Sequence, residues 1–535
     1  MRRIIVMMLV FVLLCSVGAF AQKKGRTKLV GDKNGNKIFE DLEEKLAEIK
    51  GNYKLDIIVV FNKNFTKKAI EAKIGAFDLK YNYKNINAFA GKLNKGQINA
   101  LSHMPMVKHV QLDGKVKAYN DDATYWYGAD KVSSDFGYDG DRDGNLGVYS
   151  KDDVVVAVID TGIDANHVDL DEGKVLYFKD WTRKNRTEPY DDNGHGTHCA
   201  GTIAGTGEGN TAYKGVAPGA ALIGLKVLDA RGSGSMSDID AAIEWCINNK
   251  DTYGIDVLSM SLGAAGSSDG TDSTSMLVNQ AADAGLVSVI AAGNEGPSNY
   301  TIGTPGAAEK AITVGAMADV GEGGYYQAYF SSRGPTADGR VKPDISAPGY
   351  YVMSVEANTT SGYTEMSGTS MATPYTAGTV ALMLDSNPAL TPTEIKSKIM
   401  NTSVDFGVAG KDIDYGAGRL DTYEAVKFAG SLYGVGVTQP SHYVDENYLS
   451  GSGDYIEYNI NVDTLDYPIA VNLIMLDDYT DYDLYLYDPS GNQVAKSIDT
   501  KRQEDLSYFP TVTGQYVLRA YSYSGNGDYS LDISY

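Results

Sequence analysis

The chain reads as an α/β protein built on a parallel sheet with helices on both faces. A small α+β module precedes this domain and an all-β module follows it. Three observations predict this arrangement. Apolar, β-branched runs (Val154 to Ile159, Leu222 to Val227, Val257 to Met260, Val287 to Ala292 and Ile312 to Val314) alternate with helical stretches across residues 120–430. Runs without polar alternation suit strands buried on both faces. Residues 53–118 follow a β-α-β-β-α-β order: strands at Leu55 to Phe61, Phe77 to Tyr83, Ile86 to Leu93 and Val107 to Leu112, with helices at Lys67 to Ile74 and Gln97 to His103. That order predicts a ferredoxin-like module. From Tyr455 to Tyr535 short strands alternate, as in Tyr482 to Tyr487, Tyr516 to Tyr521 and Tyr529 to Ile533, with a turn at Asp488-Pro489-Ser490-Gly491-Asn492. These predict a jelly-roll-like all-β sandwich.

At 535 residues the chain exceeds what one hydrophobic core supports. The expected division is an export signal at 1–21, an N-terminal segment at 22–119, the α/β domain at 120–430, a linker at 431–454 and the β domain at 455–535. The signal rests on Arg2-Arg3, the apolar run Ile4 to Val17 and the small-x-small site Ala19-Phe20-Ala21. The run is too short for a stable membrane span, and Leu14 before Cys15 is too bulky for a lipidation signal. The expected location is therefore extracellular. With 47 basic against 69 acidic residues, the net charge of −22 argues against nucleic acid or anionic membrane as partner. A monomer is expected. Beyond the signal only Cys199 and Cys246 remain, both in helical, apolar surroundings. One bridge is open to them, but free thiols acting as small hydrophobes are favoured. A free Cys199, one turn beyond His195, makes a point of heavy-metal or oxidative inhibition.

Four segments carry chemistry. Asp160-Thr161-Gly162 ends the strand Val154 to Ile159, and ligands of an open parallel sheet gather at strand carboxyl ends. Asn193-Gly194-His195-Gly196-Thr197-His198 opens a helix; Gly368-Thr369-Ser370-Met371-Ala372 opens another. Ala291-Ala292-Gly293-Asn294 follows a buried strand. A serine hydroxyl needs an imidazole to take its proton, and the imidazole needs a carboxylate to hold its tautomer. Asn294 and the Ser370 N–H are expected to donate to the oxyanion that develops on attack. The bland alternatives are an Asp capping the next turn, an N-capping Ser and a metal-binding His195–His198 pair. No further His, Cys or Glu motif completes a zinc site, and His198 reads as a buried structural partner.

Together and in this order, the motifs resemble those of subtilisin-family serine peptidases over residues 120–430. The resemblance implies a triad of Asp160, His195 and Ser370, with Asn294 in the oxyanion hole. It implies that Gly232-Ser233-Gly234 and Ser261-Leu262-Gly263 bind peptide as added strands, and that Gly293 and Gly303 line a roomy pocket for a large apolar or aromatic P1 residue. Residues 53–118 resemble the family's inhibitor-type propeptide, which implies a zymogen cleaved at Tyr119-Asn120. An inactive scaffold would be favoured by loss of a triad member, and a related acid peptidase by Glu in place of His195; neither departure is present.

Asp139-Gly140-Asp141-Arg142-Asp143-Gly144-Asn145 has carboxylates or amides at alternate positions and a turn glycine, the pattern of a calcium loop. Asp139, Asp141, Asp143 and Asn145 are the expected ligands. Ser150 stands where an EF-hand has Glu, so Asp152 or Asp153 is expected to close the site. Asp32, Asn34, Asn36, Glu40 and Glu43 form a second, weaker calcium pattern, because Lys37 takes the glycine position. The loop Thr206 to Lys214 does not clearly match the family's common calcium loop. Asp481-Tyr482-Asp483-Leu484-Tyr485-Leu486-Tyr487 and Gly514 to Arg519 resemble the pre-peptidase C-terminal module of secreted peptidases; packing and edge stacking are the favoured role of the tyrosines, carbohydrate or protein-surface binding is the alternative, and Asp481 and Asp483 offer a further calcium position.

Overall fold

The structure, a computed structural model, describes residues 35–49, 53–83, 87–112, 123–145, 147–182, 184–476, 479–500 and 502–535. The chain divides into two compact units, Met1–Ala118 and Tyr119–Tyr535.

In the first unit β1 (Lys54–Phe61), β2 (Asp78–Asn82), β3 (Ala88–Asn94) and β4 (Val107–Leu112) form one sheet in the order β2-β3-β1-β4. Alternate residues of β1 (Leu55, Ile57, Val59 and Phe61) are buried, so one sheet face is apolar. The helices Lys67–Ile74 and Lys95–Ser102 cover it with Ile70, Ile98 and Leu101. Asn94 caps the second helix reciprocally with Gln97, which fixes where that helix starts. This is the ferredoxin-like arrangement.

The second unit holds a seven-stranded parallel sheet: β5 (Val155–Asp160), β6 (Val175–Asp180), β7 (Ala221–Lys226), β8 (Ile255–Met260), β9 (Val287–Ala291), β10 (Ile312–Met317) and β11 (Ile345–Pro348). Their order is β11-β10-β9-β8-β5-β7-β6. Val156 and Val158 face a layer containing the helices His195–Ala204 and Thr369–Ser386. Val155, Ala157 and Ile159 face the opposite layer, with the helices Met236–Tyr253 and Ser273–Asp283. From β5 the sheet grows one way through β7 to β6 and the other way through β8 to β11. The carboxyl end of β5 is therefore the topological switch point, where such sheets leave a crevice. A hairpin of β12 (Val352–Val355) and β13 (Tyr363–Met366) lies apart from the sheet.

The C-terminal strands are β14 (His442–Leu449), β15 (Tyr455–Val462), β16 (Ile469–Met475), β17 (Asp481–Tyr487), β18 (Gln493–Ser497), β19 (Gln503–Tyr508), β20 (Gly514–Ser524) and β21 (Gly527–Ser534). They form two sheets, β14-β21-β16-β19 and β15-β20-β17-β18, around a shared apolar core that includes Leu473, Leu484, Leu518 and Leu531. β14 falls inside the stretch expected as linker. It is an edge strand paired only with β21, and half-exposed polar positions hide its signal in the sequence. All of β16 is buried, because its second face packs on the α/β domain: Ile474 joins that domain's core and Asn472 Nδ2 donates to Tyr415 Oη at 2.6 Å.

An ion network continues the same seam. The buried Asp414 carboxylate accepts from Arg333 at 3.2 Å and from Arg502 at 2.7 Å. Arg333 also donates to Gln503 at 2.6 Å, and Asp532 accepts from the Gly407 N–H at 3.1 Å. Among the described residues no helix is long and apolar enough to cross a membrane.

Candidate active site

Asp160 is the last residue of β5 and is 1% exposed. Its Oδ1 accepts from the Thr161 N–H at 2.6 Å and from His195 Nδ1 at 2.8 Å, while Oδ2 is buried with no hydrogen-bond partner. His195 opens its helix after Gly194, whose φ of 104° favours glycine. Gly196 must also be glycine, since a Cβ there would lie 2.3 Å from the Gly162 carbonyl oxygen. That close approach brings the helix start against the end of β5. Burial works against the charged imidazole, but the Asp160 carboxylate outweighs it and holds the His195 pKa well above its ordinary value.

Asp191, which the sequence reading missed, ties the same turn. Its Oδ1 accepts from the Gly194 N–H at 2.9 Å, and its Oδ2 accepts from Thr197 N and Oγ1 at 3.0 and 2.8 Å. Only its adjacency to the His195 motif could have marked it. His198 is buried and bonds the Val352 carbonyl at 3.1 Å; burial lowers its pKa to about 4, so it stays neutral.

Ser370 is the second residue of the helix Thr369–Ser386, where free N–H groups and the helix dipole favour negative charge. Its hydroxyl donates to the Ser261 carbonyl at 3.3 Å rather than to His195. Its own carbonyl accepts from Ser261 Oγ at 2.7 Å and lies 3.5 Å from Cys199 Sγ, which is itself 4.0 Å from His195 Nδ1. Cys199 and Cys246 are both unbridged and buried, and burial pushes the Cys199 thiol up.

Asn294 follows β9 by a turn at Gly293 (φ 109°). Its Oδ1 accepts from Thr369 N and Oγ1 at 3.0 and 3.1 Å, which turns the Nδ2 amide the other way. A Cβ built on Gly368 would sit 3.4 Å from Asn294 Nδ2 and 3.5 Å from Ser370 N. Both donors therefore border one small space.

Ser261, Leu262 and Gly263 continue β8, and Ala264 bridges Thr304 through a 2.9 Å backbone bond. Gly232, Ser233 and Gly234 form a tight turn in which Asp229 N donates to Ser233 O at 2.8 Å and Gly234 bridges Leu228. Gly293 and Gly303 have packing reasons of their own. A Cβ on Gly293 would lie 2.8 Å from Ser332 Oγ, and one on Gly303 would lie 2.0 Å from the Ala264 carbonyl oxygen.

In the acidic loop, Asp141, Asp143 and Asp153 bring carboxylate oxygens within 4.8 Å of one another. Among the described residues Asp141 Oδ2 and Asp153 Oδ1 find no hydrogen-bond partner, and both atoms are buried. Burial, then the neighbouring Asp141 and Asp143, raise the Asp153 pKa to about 6. A buried Asp153 beside a half-buried Asp141 and an exposed Asp143, with orphaned oxygens on the first two, fits a hard cation. Asp139 stands outside this trio; its Oδ1 accepts from the Asp141 N–H at 3.2 Å, and the Asn145 N–H donates to Asp143 Oδ1 at 2.8 Å. In the weaker N-terminal pattern Asn36 bonds Glu43. Asp32, Asn34, the signal segment and the junction Tyr119-Asn120 lie outside the described residues.

Residues 151–418 match the subtilase family, and residues 33–97 match the Tk-SP N-propeptide domain. Serine protease AprX of Bacillus subtilis strain 168 is 40% identical over 371 residues, 65% of this chain and 81% of the relative. Subtilisin E of the same strain is 34% identical over 366 residues, 68% of this chain and 86% of the relative. Among solved structures, Sphericase shares 37% identity and a TM-score of 0.44, covering 50% of this chain and 90% of that one.

Proposed function

The chain belongs to the subtilase family of serine peptidases and carries an N-propeptide domain, and from that premise we propose how its own residues act. Ser370 is the nucleophile, His195 the general base and then the acid, and Asp160 the carboxylate that orients the imidazole. The observation that carries this reading is the 2.8 Å bond between His195 Nδ1 and Asp160 Oδ1. In the neutral imidazole, the form present above its raised pKa, it leaves Nε2 to take the Ser370 proton once substrate draws the hydroxyl away from Ser261, because catalytic hydrogen bonds commonly tighten only in the substrate complex. As Ser370 Oγ bonds the scissile carbonyl carbon, the oxyanion receives Asn294 Nδ2–H and the Ser370 N–H. His195 then gives its proton to the leaving amine, and water, activated the same way, hydrolyses the acyl-enzyme.

The segments Gly232-Ser233-Gly234 and Ser261-Leu262-Gly263 hold substrate through main-chain bonds, giving broad specificity with a preference for a large apolar or aromatic P1 residue. Calcium is held by Asp141, Asp143 and Asp153, with Asp139 and Asn145 shaping the loop, and it supplies the countercharge these converging carboxylates lack. The protein is exported as a zymogen whose propeptide inhibits it until cleavage at Tyr119-Asn120.

A fluorophosphonate probe is expected to label the wild-type enzyme and not Ser370→Ala; persistent labelling of the variant overturns the nucleophile assignment. N-terminal sequencing of the mature form is expected to begin within a few residues of Asn120, and a distant start rejects the junction.

A further inference from the structure

In the sandwich, one sheet packs on the α/β domain and the other turns its outer face to solvent. On that outer face Asp481, Asp483, Tyr485 and Tyr487 of β17 alternate with the core residues Tyr482, Leu484 and Leu486. Register sets Asp483 opposite Tyr521 and Tyr485 opposite Arg519 of β20. Tyr455 and Glu457 of β15 complete the rows on the other side of β20. Asp481, Asp483, Tyr485, Tyr487, Arg519 and Tyr521 border an open cleft of about 600 Å³. Tyr455 and Tyr523 are 50% and 63% exposed. Aromatic rings grouped on a solvated sheet face mark an interaction surface rather than a core.

The charges narrow the ligand. Arg519 is committed: it donates to Glu457 at 2.6 and 3.0 Å and lies over the Tyr455 and Tyr487 rings, 4.5 and 5.3 Å from their centroids. Among the described residues Asp481 and Asp483 have no ion pair. Asp483, 6% exposed, accepts only the Tyr485 hydroxyl among side chains, at 2.8 Å. Lys496, paired with Tyr485 across β18, is exposed and bonds neither aspartate. Burial and then the Asp483 charge oppose ionisation of Asp481. Among the described residues the cleft thus presents two carboxylates without a countercharge between tyrosine faces. An anion would be repelled, and a neutral glycan would leave both charges uncompensated. An ammonium or guanidinium group on an apolar stem satisfies carboxylates and ring faces together.

We propose that this cleft binds lysine and arginine side chains of extended polypeptides, giving the molecule a second contact with cationic chain segments besides the Ser370 site. Binding stands independently of the peptidase reading; its use in substrate capture rests on that reading.

The test titrates the full mature protein calorimetrically with a D-lysine decapeptide, which a peptidase selective for L-residues leaves intact. Saturable binding that weakens with added salt is expected. It should fall about tenfold in Asp481→Asn/Asp483→Asn and severalfold in Tyr521→Ala, and survive in Tyr521→Phe. On a lysine-rich protein substrate these variants should raise KM with kcat unchanged. Acetylating the substrate lysines should raise KM equally for the wild type, a result that needs no variant to fold. Turnover of a short neutral peptide should not change; its absence in the wild type would reject the peptidase reading and leave the cleft standing. The proposal is overturned by decapeptide binding that ignores the Asn/Asn variant. It is equally overturned if calcium alone occupies the cleft, or if a neutral polysaccharide binds there while the decapeptide does not.

Discussion

In the proposed mechanism the Asn294 amide side chain is divided between two tasks. Its oxygen is held by Thr369, so its nitrogen has a fixed direction and needs no reorganisation when charge develops nearby. Asn294→Ala is expected to lower kcat by about a hundred- to a thousandfold with little change in KM, measured on a short chromogenic peptide. A loss confined to KM would reject the oxyanion role. The strand-end and helix-start places of Asp160, Asn294, His195 and Ser370 were legible because each stands in a local motif. Asp191 was not, because its role depends on four bonds to residues two to six positions on, in a turn shape that composition does not reveal. Gly293 and Gly303 were read as room for substrate. The neighbours their missing Cβ atoms would strike, Ser332 and Ala264, are far away in sequence and equally require glycine.

At the scale of an element, the acidic loop before β5 shows what spacing conveys and what it omits. Alternate acids indicated a cation site, yet the trio that converges is Asp141, Asp143 and Asp153, with Asp139 turned to a backbone N–H. Closure by Asp153 comes from the chain folding back beside the start of β5, where that side chain is 1% exposed. If the loop holds calcium, chelation is expected to lower the melting temperature of the mature enzyme, and Asp153→Asn to abolish most of that calcium-dependent difference. Equal melting with and without calcium in the wild type would reject the site. The helices illustrate the same division. Their apolar faces were evident, and the glycines flanking His195 allow close backbone approach, but that Gly196 meets Gly162 and so seats His195 beside Asp160 is decided by the tertiary structure.

For the whole molecule, the seam between the α/β domain and the sandwich is the largest feature the sequence reading lacked. Burial opposes ionisation of Asp414, but Arg333 and Arg502 outweigh it and hold its carboxyl below the usual range. An acid whose folded pKa is depressed contributes stability above its unfolded pKa, about 3.9, and that contribution is lost as pH falls through the folded value. Asp414→Asn strands two buried guanidiniums and is expected to cost about 3–5 kcal/mol at neutral pH in denaturant unfolding, with the difference from wild type shrinking in acid. A variant as stable as wild type would show that the seam contributes nothing. Such a seam also makes the sandwich an integral part of the second unit rather than a tethered appendage.

Sequence by itself determined the layer architecture, the strand-end and helix-start positions of Asp160, His195, Asn294 and Ser370, and the order of the three modules. Each of these is written in local periodicity and short motifs, which reflect interactions between near neighbours in the chain. Tertiary structure alone decided which carboxylates meet in the acidic loop, which glycines are glycine for packing, and how Asp414 joins Arg333 to Arg502. It also decided which sandwich face is covered and which exposes its tyrosines. Those outcomes depend on burial and on contacts between residues tens to hundreds of positions apart, and a strand's alternation names its two faces without saying what lies against either.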